Sequence, residues 1–122
     1  MKKEIYGVIH LAPLPGTPFY HFNSFENILE KAIKSALTLQ KGGATGALIQ
    51  TVDRVYSESD LCDPARGSSL AIISDQIRKQ SRADFRVGLE VMPADILTSL
   101  GISLISKLDF IRSSNFVSSF NK

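Results

Sequence analysis

The stretch IYGVIHLAPLPGTP, residues Ile5–Pro18, decides the fold. Mostly apolar residues lead to His10, and a loop with three of the chain's five prolines follows at once. Proline has no amide hydrogen to donate to a β-ladder, so the proline-rich loop ends the strand. The pattern predicts a buried strand from Ile5 to Leu11 that delivers His10 to its carboxyl end.

The rest of the chain alternates helices with further strands. Asn23 or Ser24 is a candidate N-cap for a helix that ends at Lys41, and Asp63-Pro64 has the composition of a second helix start. Short apolar runs bounded by turn residues predict the strands. After the first strand the predicted elements are a helix to Lys41, strand Ala47–Val52, a helix to about Gln80, strand Phe85–Met92, a helix from about Ala94 to Ser106, and strand Leu108–Ser113.

Alternation of this kind predicts parallel strands joined by helical crossovers. The spacing of the strands is close to the roughly 30 residues per unit of a (βα)8 barrel. We therefore expect an α/β fold of about four strands and three helices. Residues 1–122 would form a single domain, the truncated N-terminal half of a TIM barrel.

Composition excludes several classes of protein. The 122 residues are 43% hydrophobic and 21% charged, and the formal net charge of +2 is spread without long basic runs. A nucleic-acid partner is therefore not expected. No apolar run approaches the roughly 20 residues of a transmembrane helix. The single Cys62 is compatible with a reducing compartment, and the short polar start before the first strand leaves no room for a signal segment, so we expect a cytoplasmic protein.

Three motifs resemble the BtpA/SgcQ family of TIM-barrel proteins: Val8–Pro18, the helix-to-strand turn Gln40–Ala47, and Asp109–Arg112. The first is the most specific, because a strand that ends in His-Leu-x-Pro-Leu-Pro-Gly is unusual. The resemblance covers nearly the whole chain but only the N-terminal half of the family's usual length. It implies a barrel similar to the ribulose-phosphate-binding barrels. Cyanobacterial members are implicated in photosystem I accumulation, and the family also occurs in non-photosynthetic organisms.

The chain departs from the family pattern in two ways that bear on a catalytic role. Gln50-Thr51 stands where relatives tend to have Glu-Asn, which removes a carboxylate from the expected site. The chain also ends after its fourth predicted strand, before the phosphate site that such barrels commonly build after strands seven and eight.

Candidate site residues follow from the rule that the carboxyl ends of barrel strands carry function. His10 could act as a general base or could only hydrogen-bond the loop after it. Glu90 interrupts an apolar strand, and a buried carboxylate needs a partner, so a catalytic Glu90 and a structural Glu90–Arg112 pair both remain open. The candidates are His10 and Glu90 as catalytic residues, and Gln50, Asp53, Arg112 and Asn115 as ligand-binding residues.

The sequence predicts no metal site and identifies no cofactor. The leading hypothesis is a barrel that binds a small ligand, a sugar or a phosphorylated metabolite, with the reaction unassigned. The alternatives are a non-enzymatic assembly or stability factor of the photosystem I biogenesis type, and an inactive fragment. A half barrel exposes two strand edges, so a second copy or a complementing half barrel is an expected partner.

Overall fold

Four parallel strands alternate with three helices in the computed structural model, which describes residues 3–17, 20, 24–51, 62–91 and 95–113. The fold class predicted from the sequence is therefore confirmed. The order is β1 (Tyr6–Leu11), α1 (Phe25–Lys41), β2 (Gly46–Thr51), α2 (Pro64–Gln80), β3 (Arg86–Glu90), α3 (Ile96–Ser106) and β4 (Phe110–Ile111).

Sheet order follows chain order, β1-β2-β3-β4, with every pair parallel. In one row of the register Ile9, Ile49 and Leu89 lie side by side, and all three are buried against the helices. Within the described part of the chain, the outer edges of β1 and β4 have no strand partner. This arrangement is consistent with half of a (βα)8 barrel.

Each helix begins at the residue whose side chain accepts a hydrogen bond from the first turn. Ser24, Asp63 and Asp95 accept from the backbone N–H groups of Asn27, Arg66 and Thr98, respectively. Such caps satisfy amides that have no partner within the helix. At the other end of α1, Gly43 takes a positive φ of 92°, a conformation that glycine reaches at low cost. The predicted helix starts and the glycine stop of α1 are thus confirmed.

Two elements differ from the prediction. The strand expected over Leu108–Ser113 is reduced to Phe110–Ile111, and just before it the Asp109 side chain takes the place of a ladder acceptor: its Oδ2 accepts a hydrogen bond from Val87 N at 2.8 Å. Apolar residues at helical spacing along α1 predict one wide apolar stripe that includes Leu37, but the buried stripe is narrower, since Leu37 is 41% exposed.

The second face of the sheet has no helix over it within the described residues. Val8, Leu48, Gly88 and Phe110 form one row across it. The Phe110 ring lies over Gly88, where a Cβ atom would overlap it, and meets the Tyr6 ring edge to face with 5.5 Å between centroids. The Tyr6 ring likewise lies against Gly46, so glycines on the two central strands let rings from the two outer strands meet. These rings and the apolar row line a concave space on the open face.

Candidate functional site

A row of polar residues crosses the sheet at its carboxyl edge, on the open face. The register pairs His10 with Gln50 and Gln50 with Glu90. Arg112 directly follows β4, and its backbone N–H donates to Leu89 O at 3.1 Å. Four of the six predicted site residues thus lie along one edge. Asp53 and Asn115 lie outside the described residues.

Glu90 and Arg112 form the closest contact of this row. Arg112 Nε lies 3.0 Å from Glu90 Oε2, and the two side chains are 54% and 6% exposed, respectively. The contact is an ion pair without the alignment of a hydrogen bond, since Oε2 accepts none from the described residues. The pairing considered from the sequence is present, and the carboxylate lies beneath the guanidinium.

His10 lies at the opposite end of the row, on the edge of β1 that no described strand pairs with, and is exposed. A groove of about 380 Å³ runs between this edge and α1, and its polar wall comes from His10, Lys31 and Ser35. The row separates His10 from Glu90 by two strand spacings, about 10 Å. His10 is therefore placed to meet a ligand that spans the edge, but not to contact Glu90 directly.

Gln50 lies between the two, half-buried, with an amide that can both donate and accept hydrogen bonds. Among the described residues, no three His, Cys, Asp or Glu side chains come together as a metal site would require. The geometry of the described row suits hydrogen bonding and charge pairing with a small polar ligand.

Asp95 is a polar site whose full role the sequence did not reveal. The carboxylate caps α3 through Thr98 and also accepts a hydrogen bond from Cys62 N at 2.7 Å. Burial raises the pKa of Asp95, but the hydrogen bonds from Cys62 and Thr98 outweigh burial and hold the pKa below its ordinary value. Its position at a helix start indicated the cap. The hydrogen bond from Cys62 could not be predicted, because it joins residues that are distant in the sequence.

The concavity of the open face was also missed. It encloses about 620 Å³ over an apolar floor that includes Val8, Leu48 and Phe110, with Arg86 at one end and Arg112 at the other. Val8 is 46% exposed there. Alternating residues of β1 carried the signal, since Tyr6, Val8 and His10 point away from the buried Ile9 and Leu11.

None of the helices in the described ranges has the length and apolar character that a bilayer crossing requires.

Comparison with known proteins finds relatives over almost the whole chain. An uncharacterized protein of Methanocaldococcus jannaschii is 30% identical over 112 residues, 91% of this chain and 41% of its own length. One of Pyrococcus abyssi is 32% identical over 112 residues, 91% of this chain and 41% of its own. One of Caenorhabditis elegans, named as mitochondrial, is 30% identical over 116 residues, 93% of this chain and 42% of its own.

The chain thus spans about two fifths of the length of these curated relatives. No solved structure matches it. The model of the BtpA family matches residues 1–121. The resemblance drawn from the first strand and its proline-rich loop is therefore confirmed, and the chain belongs to the BtpA family.

Proposed function

We propose that residues 1–122 act as the N-terminal half of a BtpA-family TIM barrel, located in the cytoplasm, and bind a small ligand at the carboxyl edge of the sheet. The ligand class is a sugar or a phosphorylated metabolite. His10 would exchange protons with the ligand, and Gln50 and Arg112 would hold it. Asp53 and Asn115, which follow the second and fourth strands in the sequence, are the remaining proposed ligand-binding residues.

The observation that carries the proposal is the row of His10, Gln50, Glu90 and Arg112 across the carboxyl edge. Parallel α/β sheets bind ligands at this edge, because the loops after the strands meet there. Polar residues in register on three adjacent strands, above an apolar row, are what such a site requires. A core row at this level would be expected to be apolar instead.

A complementing half barrel is the proposed partner. It would pair with the free edges of β1 and β4 and fill the concave face. It would also cover one side of α3, where Leu97, Leu104 and Ile105 are 82%, 80% and 79% exposed. Contiguous exposed apolar surface marks sites of association. The relatives' additional length supports a complementing half over a second copy as the occupant.

Ligand binding is tested by nuclear magnetic resonance titration of the isotope-labelled chain with ribose and ribose 5-phosphate. We expect saturable shifts at Gln50 and His10, and weaker binding after Gln50→Ala. Gln80→Ala is the matched control, because Gln80 lies at the far end of α2 and bonds only Gln76 among the described residues. Equal binding by the two variants would contradict the assignment of Gln50.

The partner is tested by light scattering during gel filtration. The chain is mixed with the C-terminal part of the Methanocaldococcus jannaschii relative, the part beyond the matched region. We expect a one-to-one complex. A stable dimer of the chain alone that does not change when the C-terminal part is added would show that the partner is a second copy of the chain rather than a complementing half barrel.

A second candidate is non-enzymatic: an assembly or stability factor of the photosystem I biogenesis type. The exposed apolar side of α3 favours it, since such a surface also suits a larger protein partner. Metabolite turnover by the reconstituted barrel that is lost in His10→Ala would contradict this candidate. Ligand binding without turnover, together with a stable complex with an identified protein, would support it.

A further inference from the structure

Arg112 has hydrogen-bond donors that the described residues do not use. Its Nε lies 3.0 Å from Glu90 Oε2, while the side chain is 54% exposed. Neither terminal nitrogen, Nη1 or Nη2, has a partner in the described ranges. The guanidinium is planar and presents its remaining N–H groups as a fork, the geometry that fits carboxylate and phosphate oxygens.

Glu90 is buried in a way that limits what it can do. Its side chain is 6% exposed, and its Oε2 atom has less than 1 Å² of solvent-accessible surface and no hydrogen bond within the described residues. A buried carboxylate is unfavourable without a cation beside it. Arg112 supplies that cation and at the same time covers the oxygen, so a ligand cannot reach Oε2 while the pair is intact.

The two residues of the pair, Glu90 and Arg112, therefore have different roles. Glu90 holds Arg112 by the ion pair at Nε, and the Arg112 side chain lines the concave open face, at the same carboxyl edge as Gln50 and His10. An arginine held in place loses less side-chain entropy when it binds, because its orientation is set in advance. The neighbouring wall is the concave face with Leu48 and Phe110.

We propose that Arg112 binds an oxyanion group of the ligand, a phosphate or a carboxylate, through its terminal nitrogens, and that Glu90 is a positioning residue rather than a catalytic one. The inference rests on the proposed function, since it names the chemistry of the ligand at that same edge. It also assigns the anion contact to the residue that directly follows the fourth strand of the half barrel.

The test is a titration of the isotope-labelled 122-residue chain with three probes that share a carbon skeleton: ribose, ribonate and ribose 5-phosphate. The resonance of Arg112 Nε–Hε reports the guanidinium directly. We expect ribonate or ribose 5-phosphate to shift it and to bind at least about tenfold tighter than ribose, the gain of one charge-assisted hydrogen bond. Whichever anion binds tighter identifies the source of the oxyanion.

Variants then separate the two roles. Arg112→Gln should abolish the preference for the anionic probe, and Arg112→Lys, which keeps the charge but loses the fork, should retain only part of it. Glu90→Gln should shift the Arg112 resonance in the ligand-free protein and weaken the anionic probe severalfold, with ribose unchanged. Arg86→Gln is the matched control, because Arg86 lies at the opposite end of the concave face.

Three results would overturn the inference. Equal affinity for ribose and both anions, unaffected by Arg112→Gln, would remove the oxyanion contact and leave ligand binding itself in place. Loss of ribose binding in Glu90→Gln would assign Glu90 a direct ligand contact. Absence of saturable shifts with all three probes would refute both this inference and the proposed function. Circular dichroism establishes that each variant retains its helices.

Discussion

Replacement of Asp95 by alanine is expected to destabilise the protein by more than the loss of a helix cap. Asp95 is 3% exposed, and its two carboxylate oxygens accept three hydrogen bonds. Thr98 N and Thr98 Oγ1 donate at 3.0 Å and 2.8 Å, and Cys62 N donates at 2.7 Å. The same side chain thus begins α3 and fixes the backbone just before α2.

The magnitude follows from adding these roles. Loss of an N-cap costs about 1 kcal/mol. Leaving the partly buried Cys62 N–H without its acceptor costs about 1–2 kcal/mol more. We therefore expect Asp95→Ala to lower the free energy of unfolding by about 2–3 kcal/mol. Ser24→Ala is the matched control, since Ser24 caps α1 through Asn27 on the surface, and it should cost about 1 kcal/mol.

The assay is urea denaturation followed by circular dichroism at neutral pH, with both variants compared with the unmodified chain. The difference between the two variants measures the tie between Asp95 and Cys62. An Asp95→Ala variant that loses no more stability than Ser24→Ala would refute the reasoning, because the tie would then contribute nothing beyond the cap.

Three further predictions concern pH, backbone and surface. The pKa of Asp95 is lowered in the folded state, so its carboxylate stabilises the fold above the unfolded pKa of about 3.9. We expect this contribution to be lost as the pH falls through the folded pKa. The difference in free energy of unfolding between the unmodified chain and Asp95→Ala, measured in urea, should therefore shrink there. Gly101→Ala should stabilise α3 by up to about 1 kcal/mol, since an added Cβ meets nothing within 4 Å. Gly88→Ala should instead cost about 1–3 kcal/mol of stability, because its Cβ overlaps Phe110. Thermal melts of both variants test the contrast, and equal melting temperatures would contradict it. Leu104→Glu should keep the helical dichroism of the chain but weaken its complex with the complementing half, as light scattering would detect; an unchanged complex would exclude this side of α3 from the interface.

Local chemistry explains why the element order could be predicted from the sequence. Asp63-Pro64 begins α2 where expected, and Leu70, Ile73 and Ile77 lie buried on one side of that helix. Caps and periodicity depend on residues a few positions apart, so they can be read along the chain. The fourth strand was predicted to begin too early because the Asp109 side chain bonds Val87, a contact across the sheet that the local sequence does not show.

The candidate site could be predicted as a set of residues but not as an arrangement. The rule for strand ends selected His10, Gln50, Glu90 and Arg112. That Glu90 is buried beneath Arg112, while His10 lies two strands away, depends on the order and register of the strands. The contact between Glu90 and Arg112 could not be obtained from a fixed spacing, because the crossover through the 11-residue α3 is shorter than those through α1 and α2, which have 17 residues each.

The agreement between sheet order and chain order has a consequence for how the protein can be made. Each strand pairs with the one synthesised just before it, so the fold can grow by one strand-and-helix unit at a time as the chain leaves the ribosome. Tyr6 pairs with Gly46 and Gly46 with Arg86, so each of these pairings joins residues 40 positions apart, a long-range contact of the kind that slows folding. At every stage of such growth, the edge exposed by the newest strand is the one that the next strand covers.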